Sequence, residues 1–139
     1  GTADLDLGPS QTQPIVSDED VVRVRKLVRT VAVETKLSLV DQTKLVTAAS
    51  ELARNTLVYG GGGEVQVSTV DNGRRKGVRI SFSDSGPGIA DLDLALTDGY
   101  TTGGGLGLGL SGARRLVDEF DIETAVGEGT RVTVTKWSR

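Results

Sequence analysis

The chain has 139 residues, with 16 Lys plus Arg against 19 Asp plus Glu and a net charge of −3. That length fits one domain, and the mild acidity argues against a dedicated nucleic-acid binder, which carries a basic face. The absence of Cys and His excludes disulfides, thiolate metal sites, imidazole catalysis, the usual zinc sites and a phosphohistidine relay within the chain.

Aromatic residues make up only 4%, so the core is expected to be Val, Leu, Ile and Ala. No apolar run approaches about 18 residues, so no transmembrane helix is expected. No secretory signal pattern is present. The default expectation is a cytoplasmic protein with neither a membrane nor a nucleic acid as partner.

Residues 1–14 are poor in apolar side chains and rich in Gln, Thr, Ser and Pro. They read as a flexible tail, leaving a domain over residues 15–139, with Ile15-Val16 as a short edge strand. Ser17-Asp-Glu-Asp20 carries an N-cap and first-turn acids, which suit a helix start. Val21, Val24, Val28 and Val31 give that helix an apolar stripe. Arg23, Arg25, Lys26 and Arg29 lie opposite, as a solvated face or, alternatively, a docking face for a partner. Ser38-Leu-Val-Asp41 repeats the capping pattern and opens a second helix with an inner stripe of Leu45, Ala49, Leu52 and Thr56.

A second column on this helix is Thr47, Glu51 and Asn55, spaced by four and therefore on one face. Glu51 and Asn55 suit either a plain polar surface or a general base beside a metal or phosphate ligand. Gly60–Gly63 stops the helix. Residues 64–70 alternate as a half-buried strand, 71–77 read as a hairpin loop, and 78–83 as the return strand. Asp84-Ser-Gly-Pro-Gly88-Ile89 follows. It is a strand-ending turn, or an acid held beside glycines that let a flat ligand approach. A carboxylate there could accept from an adenine amino group.

Residues 91–96 read as a short helix and 97–105 as a loop of small residues able to act as a lid. Leu106, Leu110, Ala113, Val117 and Phe120 then recur at helical steps, although Gly107, Gly109 and Gly112 each cost a helix about 1 kcal/mol. Either a flexible loop leads into a tightly packed helix, or bare N–H groups at a helix start cradle phosphate. Residues 122–126 and 131–137 complete the chain as a terminal hairpin around Gly127-Glu-Gly129.

The order is helix, helix, strand, strand, short helix and lid, helix, strand, strand. That is an α+β layout, a two-layer sandwich with helices on one face of a mixed, mostly antiparallel sheet. Gly107-Leu-Gly109-Leu-Ser-Gly112 spells the dinucleotide fingerprint, but no strand precedes it and no βα units follow. The Walker pattern and the usual protein-kinase set are both missing.

Four segments in order resemble the ATP-site boxes of the GHKL (Bergerat-fold) ATPases and kinases: Glu51-Leu-Ala-Arg-Asn55, Asp84-Ser-Gly-Pro-Gly88, Gly103–Leu110 and Gly129-Thr130. Within that family the chain is most similar to the small serine/threonine kinases of bacterial stress-response partner-switching modules, and less so to the anti-sigma kinases. Asp98-Gly-Tyr-Thr-Thr102, Arg114-Arg-Leu-Val-Asp-Glu-Phe120 and Lys136-Trp137 add to the likeness.

The resemblance implies ATP and Mg²⁺ as cofactors. It makes Glu51 the base that accepts a proton from the attacking hydroxyl, and Asn55 the Mg²⁺ ligand. Asp84 would bind the adenine amino group, with Gly86, Gly88 and Ile89 around the base and Thr130 on the adenine side. Gly105, Gly107 and Gly109 would present N–H groups to the phosphates, within an ATP-binding run of Gly104, Gly105, Leu106, Gly107, Leu108, Gly109 and Leu110. It implies transfer to a Ser/Thr of a STAS-domain partner, with a downstream phosphatase or sigma-factor regulator as a further partner. Sequestration of a sigma factor is the alternative. One departure stands out: some anti-sigma relatives carry an Arg in the lid where this chain has Gly105, and no Lys or Arg lies between Gly86 and Arg114. Arg54, Arg114 or a partner side chain would have to supply the positive charge that phosphoryl transfer gains from.

Overall fold

In the computed structural model, residues 6–89, 96 and 109–139 are described, the side chains of residues 6 and 7 excepted. The elements are β1 (Asp6–Ile15), α1 (Asp18–Glu34), α2 (Leu39–Val58), β2 (Gly63–Asp71), β3 (Lys76–Asp84), α3 (Gly109–Arg115), β4 (Glu119–Ala125) and β5 (Gly129–Trp137). The strands form one sheet in the order β1-β2-β3-β5-β4. Every pairing among them is antiparallel, so the expected α+β sandwich holds and its described sheet is antiparallel rather than mixed.

Local chemistry explains the helix starts. Ser17 and Ser38 are N-caps, and their side chains accept from the backbone N–H groups of Asp20 and Asp41. Each cap satisfies one of the amides that a helix start leaves without a partner. The stripes expected on both helices are the buried ones: Val21, Val24, Val28 and Val31 on α1, and Leu45, Ala49, Leu52 and Thr56 on α2. They close on Val65, Val67, Val78, Ile80, Phe82, Val132 and Val134 of the sheet. Apart from Phe82, the buried hydrophobic side chains are Val, Leu, Ile and Ala, so the core is mainly aliphatic, as the scarcity of aromatics required. α1 packs on α2 and α2 on α3.

Two expectations are corrected. Residues 6–14 are not a flexible tail; they form most of β1, paired with β2 from Asp6↔Asp71 to Ile15↔Gly63. A strand ladder is made by backbone groups, so a polar edge strand needs no apolar side chains. The register shifts between Leu7 and Ser10, where Pro9, lacking an N–H, is tolerated. The other correction concerns Phe120. The expected helix through Phe120 ends at Arg115, and Phe120 lies in β4 opposite Val134. The chain turns at Asp118, whose N–H donates to the Thr135 carbonyl at 3.0 Å and whose carboxylate accepts from the Trp137 N–H at 2.7 Å. Val117 in the turn and Phe120 in β4 therefore both pack against the same core without continuing the helix. The expected short helix at 91–96 and lid at 97–105 lie outside the described residues, Leu96 excepted.

Candidate functional site

The site begins where α2 ends. Side chains alternate along a strand, and Phe82 of β3 points into the core. Asp84, two residues on, therefore faces the helix layer too. It pairs with Thr130 of β5 and Gly63 of β2. One carboxylate oxygen, Oδ1, accepts from the Gly86 N–H at 2.9 Å, so the Asp84-Ser-Gly turn orients its own acid. The other oxygen is kept clear by Gly60, since a Cβ there would overlap the Asp84 carboxylate. Gly60 comes right after Tyr59, the C-cap of α2, and its N–H donates to the Asn55 carbonyl at 3.2 Å. The last turn of α2, which carries Asn55, is thus held against the acid at the end of β3.

Glycine is required twice more. Gly88 has φ +77 and Gly129 has φ +91; a Cβ would strike the Ala125 carbonyl in the first case and the Asp84 carbonyl in the second. Left-handed backbone and close approach together exclude other residues. Beside them, the Thr124 hydroxyl accepts from the Ile89 N–H at 2.9 Å, donates to the Gly129 carbonyl at 3.1 Å and lies 2.9 Å from the Thr130 hydroxyl. Ile89, Thr130 and Asp84 are therefore locked into one corner. An open hollow of about 340 Å³ at this end of the sheet is lined by Asp84, Thr124 and Thr130 but also by Ser83, Glu123 and Arg131, which alternate onto the face away from the helices, and neither Glu51 nor Asn55 lines it.

Glu51 and Asn55 are half-buried, while Thr47 of the same column is exposed. The side of α2 they occupy follows from Asp41, which pairs with Lys136 of β5. Asp41, Ala48 and Asn55 are spaced by seven, close to two helical turns, so they share one flank. α1 packs over β1 and β2, so the β5-facing flank lies away from α1, on the side where α3 packs. Glu51 stands one turn before Asn55 on that side.

Residues 40–138 match the HATPase_c family, histidine kinase-, DNA gyrase B-, and HSP90-like ATPases. The chain belongs to this family. This HATPase_c chain is 44% identical over 125 residues, 90% of its length and 94% of the relative's, to the serine/threonine-protein kinase RsbT of Bacillus subtilis (strain 168). It is 26% identical over 119 residues, 81% of its length and 82% of the relative's, to the anti-sigma F factor of Thermoanaerobacter sp. (strain X514). Among solved structures, the RsbU and RsbW domains of Rv1364c from Mycobacterium tuberculosis superpose with a TM-score of 0.65 at 24% identity. That likeness covers 94% of this chain and a third (33%) of the solved one, and it bears on the fold.

Of the residues singled out in the HATPase_c sequence, Asp84, Gly86, Gly88, Ile89 and Thr130 meet in one corner, with Asn55 at the adjoining helix end and Glu51 a turn away. Gly109 and Leu110 open α3, where Gly109 has φ +71 and Leu110 is buried. Gly104, Gly105, Leu106, Gly107 and Leu108 lie outside the described residues. Arg54 and Arg114 are both exposed.

Sequence reasoning missed two contributors. Gly60 read only as a helix stop and Thr124 as an ordinary strand residue. Only the fold puts Gly60 and Gly129 on either side of Asp84. No local pattern marks Thr124 at all.

Proposed function

We propose that this HATPase_c chain is a cytoplasmic serine/threonine-protein kinase. It transfers the γ-phosphate of Mg-ATP to a Ser or Thr of a STAS-domain partner in a bacterial stress-response partner-switching module. The observation that carries the reading is the end of α2 held against Asp84, with Glu51 and Asn55 on one side of that helix, in a chain 44% identical to RsbT over nearly its whole length.

The described residues suit the nucleotide. A carboxylate with one oxygen fixed and the other walled by a glycine is a fitting acceptor for an exocyclic amino group. Asn55 would hold Mg²⁺, an ion that commonly takes one or two protein ligands and fills its remaining positions with phosphate oxygens and water. When bound, the ion neutralises charge on the phosphates. The chain's own groups do the rest. Asp84, Ile89 and Thr130 orient the base, and Glu51 takes the proton from the substrate hydroxyl. Positive charge for the transferring group comes from Arg54, Arg114 or the partner, so the rate without partner is expected to be low. The second reading, sequestration of a sigma factor, draws on the anti-sigma F relatives, whose 26% identity makes it the weaker.

The test is incubation with Mg-ATP and purified STAS-domain proteins, with phosphoserine and phosphothreonine located by mass spectrometry. Glu51→Ala is expected to lower transfer by about 10²–10⁴-fold, the usual worth of a general base, while ATP still binds. Asn55→Ala and Asp84→Asn are expected to weaken binding itself. Transfer by Glu51→Ala at the native rate would remove the base assignment. A sigma factor captured from lysate without any phosphorylated partner would favour the second reading.

A further inference from the structure

β5 sends Val132 and Val134 into the core, and the next residue on that face is Lys136, which is as buried as they are. Its Nζ lies 3.6 Å from Asp41 Oδ1 at the start of α2 and 3.5 Å from Asp118 Oδ1 in the turn after α3. The Lys136 and Asp41 side chains are 5% and 7% exposed. Arg139 adds contacts of 3.5 Å to both acids from the solvent side. An ammonium in a valine row carries a desolvation cost, and an apolar side chain of similar volume often serves stability as well or better. Stability alone therefore does not explain a lysine here.

What the cluster fixes is geometry. α2 buries Leu45 and Leu52 in the core together with the small side chains Ala48, Ala49 and Ala53. Apolar burial is non-directional, and the ion cluster adds a directional tie at the start of α2. Asp41 shares its flank with Ala48 and Asn55, at intervals of seven residues. Drawing Asp41 toward β5 therefore sets the direction in which Asn55 and Glu51 point. Asn55 is 14 residues from Asp41, about 21 Å along the helix, so Lys136 touches neither.

We propose that Lys136 is a positioning residue for the nucleotide site: paired with Asp41 and Asp118, it fixes the rotation of α2 so that Asn55 and Glu51 face α3. The inference rests on the reading of Asn55 as the magnesium-holding residue and of Asp84 as the adenine acceptor. Asp84 stands on β3 with its Oδ1 held by the Gly86 N–H, a bond that involves no residue of α2. Loss of the ammonium must then separate two parts of ATP binding that unfolding or general loosening would weaken together.

The experiment is calorimetric titration of ATP into the full chain, with Mg²⁺ and with EDTA, for wild type, Lys136→Met, Lys136→Arg and Asp41→Asn. The readout is the ratio of the two affinities. Lys136→Met is expected to lower that ratio about tenfold, a size within what residues touching neither ligand contribute to the coupling between sites, with Mg²⁺-free affinity unchanged. Lys136→Arg retains the ratio, and Asp41→Asn reproduces the loss should Lys136→Met fail to fold. An unchanged ratio in a folded Lys136→Met or Asp41→Asn overturns the proposal, as does a parallel fall of both affinities. A wild-type chain that binds ATP equally with and without Mg²⁺ overturns the underlying reading of Asn55 instead.

Discussion

Asp20 shows how one side chain can join elements that the sequence lists separately. Its Oδ2 accepts from the Val16 N–H at 2.9 Å and its Oδ1 from Arg23 at 2.8 Å, while its carbonyl accepts from Gln13 at 3.0 Å. β1, the connection and α1 are thereby tied at one residue. The bond from the Val16 N–H, aided by Arg23 and Ser17 against the effect of burial, holds this carboxyl below the usual aspartate range. A depressed folded-state pKa means that the ionised form is favoured by folding. Its contribution is present above the unfolded value of about 3.9 and is lost as pH falls from there through the folded value. Asp20→Asn is therefore expected to lower unfolding free energy at pH 7, and the gap to wild type should close in urea melts below about pH 3.9. A gap independent of pH would assign the effect to shape rather than charge.

At the scale of elements, α2 carries both the core and the candidate chemistry, on different sides. Leu45, Leu52 and Thr56 bury one side, and Asn55 and Glu51 occupy the flank beside it. The two roles should separate under substitution. Leu52→Ala, at a position only 1% exposed, is expected to cost 2–5 kcal/mol, on the order of other Leu truncations in packed cores, and to lower the urea midpoint. Asn55→Ala, half-buried, should leave that midpoint near wild type while nucleotide binding falls. The acid and amide one turn apart on α2 and the acid before glycines after β3 were legible because each is a short run whose residue types a nucleotide site would dictate. Gly60 and Thr124 were not legible, because their part in the site comes from what lies across from them. A glycine whose missing Cβ makes room for Asp84 looks like any helix-ending glycine until β3 is placed beside it.

At the scale of the molecule, the largest difference between sequence and structure is β1. Residues 9–14 are Pro, Ser, Gln and Thr, and hydrophobic patterning finds nothing in them before Ile15, because this stretch sits at a sheet edge and joins through its backbone. Removal of residues 1–14 is expected to lower stability by more than about 2 kcal/mol, since several ladder hydrogen bonds worth about 0.5–1.5 kcal/mol each are lost together with the tie to Asp20. A mobile tail would leave the urea midpoint where it was. Among the described residues no helix is long and apolar enough to cross a membrane.

The sequence by itself determined the helix starts, the buried stripes and the two hairpins, because caps, periodicity and turn residues are local properties carried by neighbouring residues. The tertiary structure decided that a polar N-terminal segment is a strand, that Phe120 belongs to β4, that Gly60 and Gly129 enclose Asp84, and that Lys136 lies buried between Asp41 and Asp118. Each of these depends on a partner far away in the chain. A backbone ladder, a van der Waals overlap or an ion pair leaves no mark on the residues adjacent in sequence.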